Sequence, residues 1–218
     1  MVNKHKNDMF EDMMRELDCA DELTNPWVDP DSILRYKNYQ ERVLWIDKDI
    51  NDTLYDEIRH IIQWNREDEA NNIPVEDRKP ITCIIHSYGG TLDAAFSFID
   101  CVDKSKTIVK TVNIGSAMSA GALIFLSGTP GYRYCMQLST ALIHDGSGGA
   151  QGTYAQVQSQ NANYKHVMDT MKDWIAAHTK IDKATLKKWN NKEIYLYAQD
   201  QLKYGIADKI VNSLADIF

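Results

Sequence analysis

Long apolar runs, clustered basic charge and paired cysteines are all missing from this chain of 218 residues. The longest strongly apolar stretches are far too short to span a bilayer, so a membrane partner is not expected. Lys and Arg form no block or stripe. With 31 acidic against 24 basic residues the formal net charge is −7, and nucleic acid is not an expected partner either. Cys19, Cys83, Cys101 and Cys135 lie far apart and include no CxxC pair, which argues against a zinc or other metal site. Their even count hints at disulfides. Cys83 and Cys101, however, sit in apolar-periodic segments that suit buried free thiols. Residues 1–8 are polar and carry no hydrophobic signal region, so a cytoplasmic protein is expected. Internal repeats and low-complexity tracts are absent.

What is present suits one globular domain with an appendage: 44% of residues are hydrophobic and 25% charged. Residues 1–35 read as an acidic N-terminal extension and 36–218 as the main domain. Between residues 8 and 31 nine acids face one base, Arg15. Within that stretch Phe10, Met13, Met14 and Leu17 mark one face of a short amphipathic helix. Asn25-Pro26 and Asp29-Pro30 break it. A removable propeptide is one reading of this segment.

From residue 42 strands and helices alternate. Arg42–Ile46, Ile81–Ile85, Ile108–Val112, Tyr132–Met136 and Thr140–Ile143 read as strands. Leu54, Ile58, Ile61 and Ile62 mark one helix; Ala95, Phe98, Ile99 and Val102 mark another. Asn65 to Lys79 reads as a polar loop. A long helix over 153–178 carries Val157, Tyr164, Val167, Met168, Met171, Trp174, Ile175 and His178 on one face. This alternation argues an α/β fold with mostly parallel pairing.

Three short segments carry chemistry. Ser119 lies in Gly115-Ser116-Ala117-Met118-Ser119-Ala120-Gly121, directly before the apolar run Ala122–Leu126. That places a hydroxyl at a helix N-terminus, where free amides favour negative charge. Two roles fit the position: a helix cap, or a nucleophile beside an oxyanion site. Ser87-Tyr88-Gly89-Gly90 stands at a strand-to-helix turn, where paired glycines either make a tight turn or expose amides to a ligand. His144 ends a strand before Asp145-Gly146-Ser147-Gly148-Gly149; it is either a polar rim residue or a general base.

In this order and spacing the segments resemble the ClpP caseinolytic serine peptidase family, in the superfamily shared with the crotonases. The similarity runs from about Tyr36 to Val211 and includes Glu41-Arg42-Val43, Ile143-His144, Gly148–Gly152, Ala177-His178-Thr179 and Tyr204–Asp208. Gly90 to Ser119 is 29 residues and Ser119 to His144 is 25. The resemblance implies a ClpP/crotonase-like ββα superhelix with a protruding handle helix. It implies Ser119 as nucleophile, His144 as base, and the amides of Gly90 and Ala120 as the oxyanion hole. The family's acid falls 49 residues beyond the histidine, at Glu193, where the family normally has Asp. Should Glu193 point away, Asn191 is the fallback orienter, or the triad is only a dyad. Thr91, Leu92 and Asp93 on one side, and Ser147, Gly148 and Gly149 on the other, are implied to pair with an extended polypeptide substrate as added strands. No cofactor is implied. The expected assembly is a homo-oligomeric ring, heptamer or tetradecamer, fed by an AAA+ unfoldase.

Several positions depart from the family pattern. Tyr88 replaces proline, Asp145-Gly146 replaces Gln-Pro, Asn191-Lys192 replaces an Asp-Arg pair that links rings, and Lys104 occupies a commonly apolar docking position. Two alternatives therefore stand beside the active peptidase: an inactive structural subunit, and a phage-type maturation peptidase. A crotonase-type enzyme acting on acyl-CoA is a third, which the Ser119–His144 pair disfavours.

Overall fold

The computed structural model describes residues 29–218; the amphipathic helix expected around Phe10–Leu17 lies outside the described residues. Helix α1 (Pro30–Gln40) begins where Asp29-Pro30 suggested a break. The Asp29 carboxylate accepts from the amides of Asp31 and Ser32, and proline at the first helical position has no amide to satisfy. None of its residues is buried. The main compact unit runs from Arg42 to Phe218.

Within that unit the class is α/β, as expected. The elements are β1 (Val43–Ile46), α2 (Tyr55–Ala70), β2 (Ile81–Ser87), α3 (Leu92–Lys104), β3 (Val109–Met118), α4 (Ala120–Leu126), β4 (Arg133–Cys135) and β5 (Thr140–Ile143). They continue with α5 (Tyr154–His178), α6 (Lys183–Trp189), β6 (Ile194–Tyr197), α7 (Ala198–Lys203) and β7 (Lys209–Ile210). Strands β1-β2-β3-β4-β7 pair in parallel. The ten-residue β3 forks: Thr111–Asn113 pair with β4, whereas Ser116–Met118 pair with β5. β6 adds to β5 antiparallel.

The fork is pinned from inside. Asn113, fully buried, donates through Nδ2 to the Thr140 carbonyl at 3.1 Å and to Gln201 Oε1 at 3.3 Å. Its Oδ1 accepts the Gly115 amide at 3.2 Å. Buried Gln201 in turn donates to the carbonyls of Ser139 and Leu196. A buried amide pair satisfied on this many sides holds one strand arrangement and penalises any other.

Helices α2, α3 and α4 bury Ile58, Ile61, Trp64, Phe98, Ile99, Ile124 and Phe125. All seven residues of α4 are buried, which explains its unbroken apolar sequence. A separate apolar cluster joins Val43, Ile84, Val112 and Ile217, with Tyr134, Met136 and Val211 packed against it.

One expectation needs correction. Asn65–Ala70 is helical, not loop, because its polar residues have fixed partners. Asn65 donates to the Ile61 carbonyl and to Ser105 Oγ, and buried Asp68 accepts a two-armed bond from Arg42 at 2.7 and 2.8 Å. The strand read over Ile108–Val112 runs on through Gly115–Met118, the second half of β3, up to Ser119. Helix α5 matches the expected protruding helix. Its second half buries Met168, Met171 and Ile175, while in its first half only Val157 is even partly covered.

Candidate active site

Sheet register brings Ser119 to His144. Met118 is paired with Leu142, and the Ser119 amide donates to the Leu142 carbonyl at 2.9 Å. The chain of β5 then needs two more residues to reach His144. His144 Nε2 lies 2.8 Å from Ser119 Oγ. Both residues are half-buried, so the pair is reachable from solvent.

The two readings of Ser119 separate here. Its side chain makes no capping bond to α4, although it stands at the cap position. The hydroxyl is committed to His144 instead. Its backbone has φ +54° and ψ −122°. A non-glycine residue in such a region costs on the order of 1–3 kcal/mol and persists only where the surroundings fix it. The Leu142 bond on one side does so. On the other, the Ser119 carbonyl accepts from Ala122 and Leu123.

The paired glycines press against this elbow. Gly89 (φ +106°) has no room for a Cβ, which would lie 2.8 Å from Ser119 Cβ. At Gly90 (φ +150°) a Cβ would sit 2.0 Å from the Ile50 carbonyl oxygen. Ile50, unremarked in the sequence, clamps the turn: its amide donates to the Gly89 carbonyl and its carbonyl accepts from Thr91, both at 2.8 Å. Ser87 Oγ donates to the Lys48 carbonyl at 2.6 Å and accepts the Gly89 amide at 3.2 Å. Among the described residues the Gly90 and Ala120 amides have no protein acceptor.

The geometry leaves other candidates apart from the pair. Glu193 is exposed, and its Oε2 accepts from the Tyr195 hydroxyl at 3.1 Å; no hydrogen bond joins it to His144. The Asn191 amide donates to Asp145 Oδ2 at 2.8 Å. Thr91 precedes α3, and Leu92 and Asp93 form its first turn. The Thr91 amide is given to the Ile50 carbonyl, and of the three residues only Leu92 lines the cavity beside Ser119. Ser147, Gly148 and Gly149 are exposed and outside any helix or strand.

The Clp protease family profile matches residues 32–214. The chain belongs to the Clp protease family. A curated relative is the "ATP-dependent Clp protease proteolytic subunit 3" of Nocardia farcinica (strain IFM 10152). It is 30% identical over 179 residues, covering 80% of this chain and 76% of the relative.

In this Clp-family chain a cavity of about 270 Å³ opens beside Ser119. Leu123, Leu142, Met168, Met171 and Ile175 make its apolar floor, and Tyr88 and Tyr164 stand at its sides. The floor thus joins β5 and α4 to the buried half of α5.

A further residue that sequence reasoning passed over is His86. Its Nδ1 accepts the Ser116 amide at 3.2 Å, at the point where the β2–β3 register shifts. The bond supports the strand that delivers Ser119. Its only sequence signal was a polar residue closing an apolar strand.

Elsewhere the titratable groups are structural. Burial pushes the Cys83 thiol well up and Cys135 up to about 11; with Cys101 these are free thiols. Burial works against ionised Asp208. Yet the Arg133 guanidinium and the Arg133 and Gly131 amides outweigh it and hold the carboxyl below its usual range. Among the described residues no group of three or more His, Cys, Asp or Glu side chains is placed to hold a metal ion. No described helix is long and apolar enough to cross a membrane.

Proposed function

We propose that the chain is a serine endopeptidase in which Ser119 is the nucleophile and His144 its general base. The observation that carries this reading is the 2.8 Å bond between Ser119 Oγ and His144 Nε2, made by a serine that forgoes its capping bond. Ser119 Oγ attacks a peptide carbonyl as its proton passes to His144 Nε2. The amides of Gly90 and Ala120 receive the oxyanion. His144 then protonates the leaving amine, whose departure leaves an acyl-enzyme. Water, giving a proton to His144, attacks the ester and frees Ser119.

Glu193 stands at the family's acid position and is the proposed third member of a triad. To orient His144 it must exchange its Tyr195 bond for one to the imidazole. The exposed Ser147–Gly149 segment offers backbone groups to an extended polypeptide, and the apolar cavity receives one side chain of it. The uncovered half of α5 supports assembly into a homo-oligomeric ring, heptamer or tetradecamer, and the curated relative's name supports an ATP-dependent unfoldase as partner. A cytoplasmic location accords with both. The competing reading, an inactive structural subunit, draws on the engagement of Glu193 with Tyr195.

Labelling of the assembled chain with a fluorophosphonate, read by intact mass, tests the proposal. One adduct per chain, lost in Ser119→Ala, is expected. An unlabelled natural chain overturns the peptidase reading in favour of the structural subunit.

A further inference from the structure

Asp145, next to His144 in the chain, is the most heavily tied residue of the site. Its Oδ1 pairs with Lys172 Nζ at 2.7 Å, and its Oδ2 accepts the Asn191 amide at 2.8 Å. Its own carbonyl accepts from the Tyr164 hydroxyl at 3.0 Å. Lys172 Nζ also donates to Asn190 Oδ1 at 2.8 Å, closing a ring of contacts. Asn191 lies at φ +59°, the left-handed region that asparagine enters more readily than other non-glycine residues. One side chain thus joins the end of β5, the buried half of α5 and the turn after α6. That turn leads within two residues to Glu193.

We propose that Asp145 is a positioning residue: with Lys172 and the Asn191 amide it fixes the His144 backbone against α5, and its charge favours the imidazolium that forms when Ser119 is deprotonated. The inference rests on the reading of Ser119 and His144 as nucleophile and base. The aliphatic floor at Met171 and Ile175 lies on the same helix as Lys172, so the ion pair is only about one-quarter exposed at each end. At that exposure a charge is screened less than at the surface. Burial raises the Asp145 carboxyl, but the Lys172 and Asn191 bonds and the charges of Lys172 and His144 bring it below its usual value, so it is a carboxylate at neutral pH. The other groups facing it are Tyr164 from α5 and Asn190 from the turn. Lys172 also feels Asp169, one turn back on α5, which pairs with Lys165.

The signs follow from the charges. Removing the Asp145 carboxylate disfavours the imidazolium, and removing the Lys172 ammonium favours it. The test is the titration of the His144 ring in the assembled chain, labelled with 13C-histidine and assigned with His144→Gln. In Asp145→Asn the midpoint is expected to move down, and in Lys172→Met to move up. The acid limb of the acylation profile should move the same way, with kcat of a short peptide falling about tenfold in Asp145→Asn and KM unchanged. A merely structural role lowers thermal stability in both variants and leaves the His144 midpoint in place. That result, in folded protein, overturns the inference. If Asp145→Asn does not fold, the direction of shift in Lys172→Met decides alone. Shifted titrations without fluorophosphonate labelling would sink the peptidase reading and keep the positioning; labelling with unmoved titrations would do the reverse.

Discussion

The two sides of His144 are built by different means. Towards Ser119 the geometry is set by main chain: parallel register between β3 and β5, the Ser119–Leu142 bond, and two glycines clamped by Ile50. Towards Glu193, the proposed acid, it is set by side chains and a turn, with Asp145 holding Asn191 while Glu193 rests on Tyr195. Main-chain register admits few alternatives, because a one-residue slip turns every side chain to the wrong face. A turn held by three or four polar contacts has a neighbouring state within a few kcal/mol. The nucleophile side is therefore a fixed feature of the fold, and the acid side is a position the protein can adjust.

The harshest way to break this comparison is on the rigid side. Gly90→Ala places a Cβ 2.0 Å from the Ile50 oxygen, and neither backbone can yield. We expect acylation to fall by about 10²- to 10³-fold, as for loss of an oxyanion donor, with a lower melting temperature. Near-normal acylation in this variant would show that the clamp is not needed. On the adjustable side, Glu193→Gln should cost only about tenfold in kcat, far below the roughly 10⁴-fold seen where a rigid triad acid is neutralised. A loss of the larger size would make the two sides equal and end the distinction. Tyr195→Phe frees Glu193 from a bond worth about 1 kcal/mol, so the acylation rate should rise up to about fivefold, read by stopped-flow with an activated ester. The smallest effect belongs to Gly149→Ala. Nothing lies within 4 Å of the Cβ site, so the melting temperature should stay within about a degree and only the KM of an extended peptide should change.

Legibility in the sequence follows the same division. Ser119 and His144 were visible because each sits in a short motif tied to a strand end, and their 25-residue spacing is a fixed strand-to-strand path. The helices read from Leu54, Ile58, Ile61 and Ile62, and from Ala95, Phe98, Ile99 and Val102, lie where that periodicity placed them, although Ile62 faces solvent. The extension of β3 through Gly115–Met118 was not legible, since small residues carry little strand signal. Polar residues misled at Asn65–Ala70, where the partners of Asn65 and Asp68 come from residues some 26 to 42 positions away. The orientation of Glu193 was out of reach for the same reason: it depends on Tyr195 and on where Asp145 holds Asn191. Thr91–Asp93 were legible as the segment after the paired glycines but not as the N-cap and first turn of a helix, whose orphan amides face outward rather than form a regular strand edge.

The fork in β3 has a consequence for how the protein fails under stress. β5 leads straight into His144, the proposed base, and the Ser119 amide hydrogen bond to Leu142 is part of the seam that joins it to β3, which delivers the proposed nucleophile. If β5 and its antiparallel neighbour β6 peel away while the β1–β4 pairing persists, the hydroxyl and the imidazole separate in a chain that is otherwise folded. Heat would then silence the protein before it melts. The deuterium exchange rate of one backbone amide, that of Ser119, would serve as a gauge of the fraction of molecules ready to react.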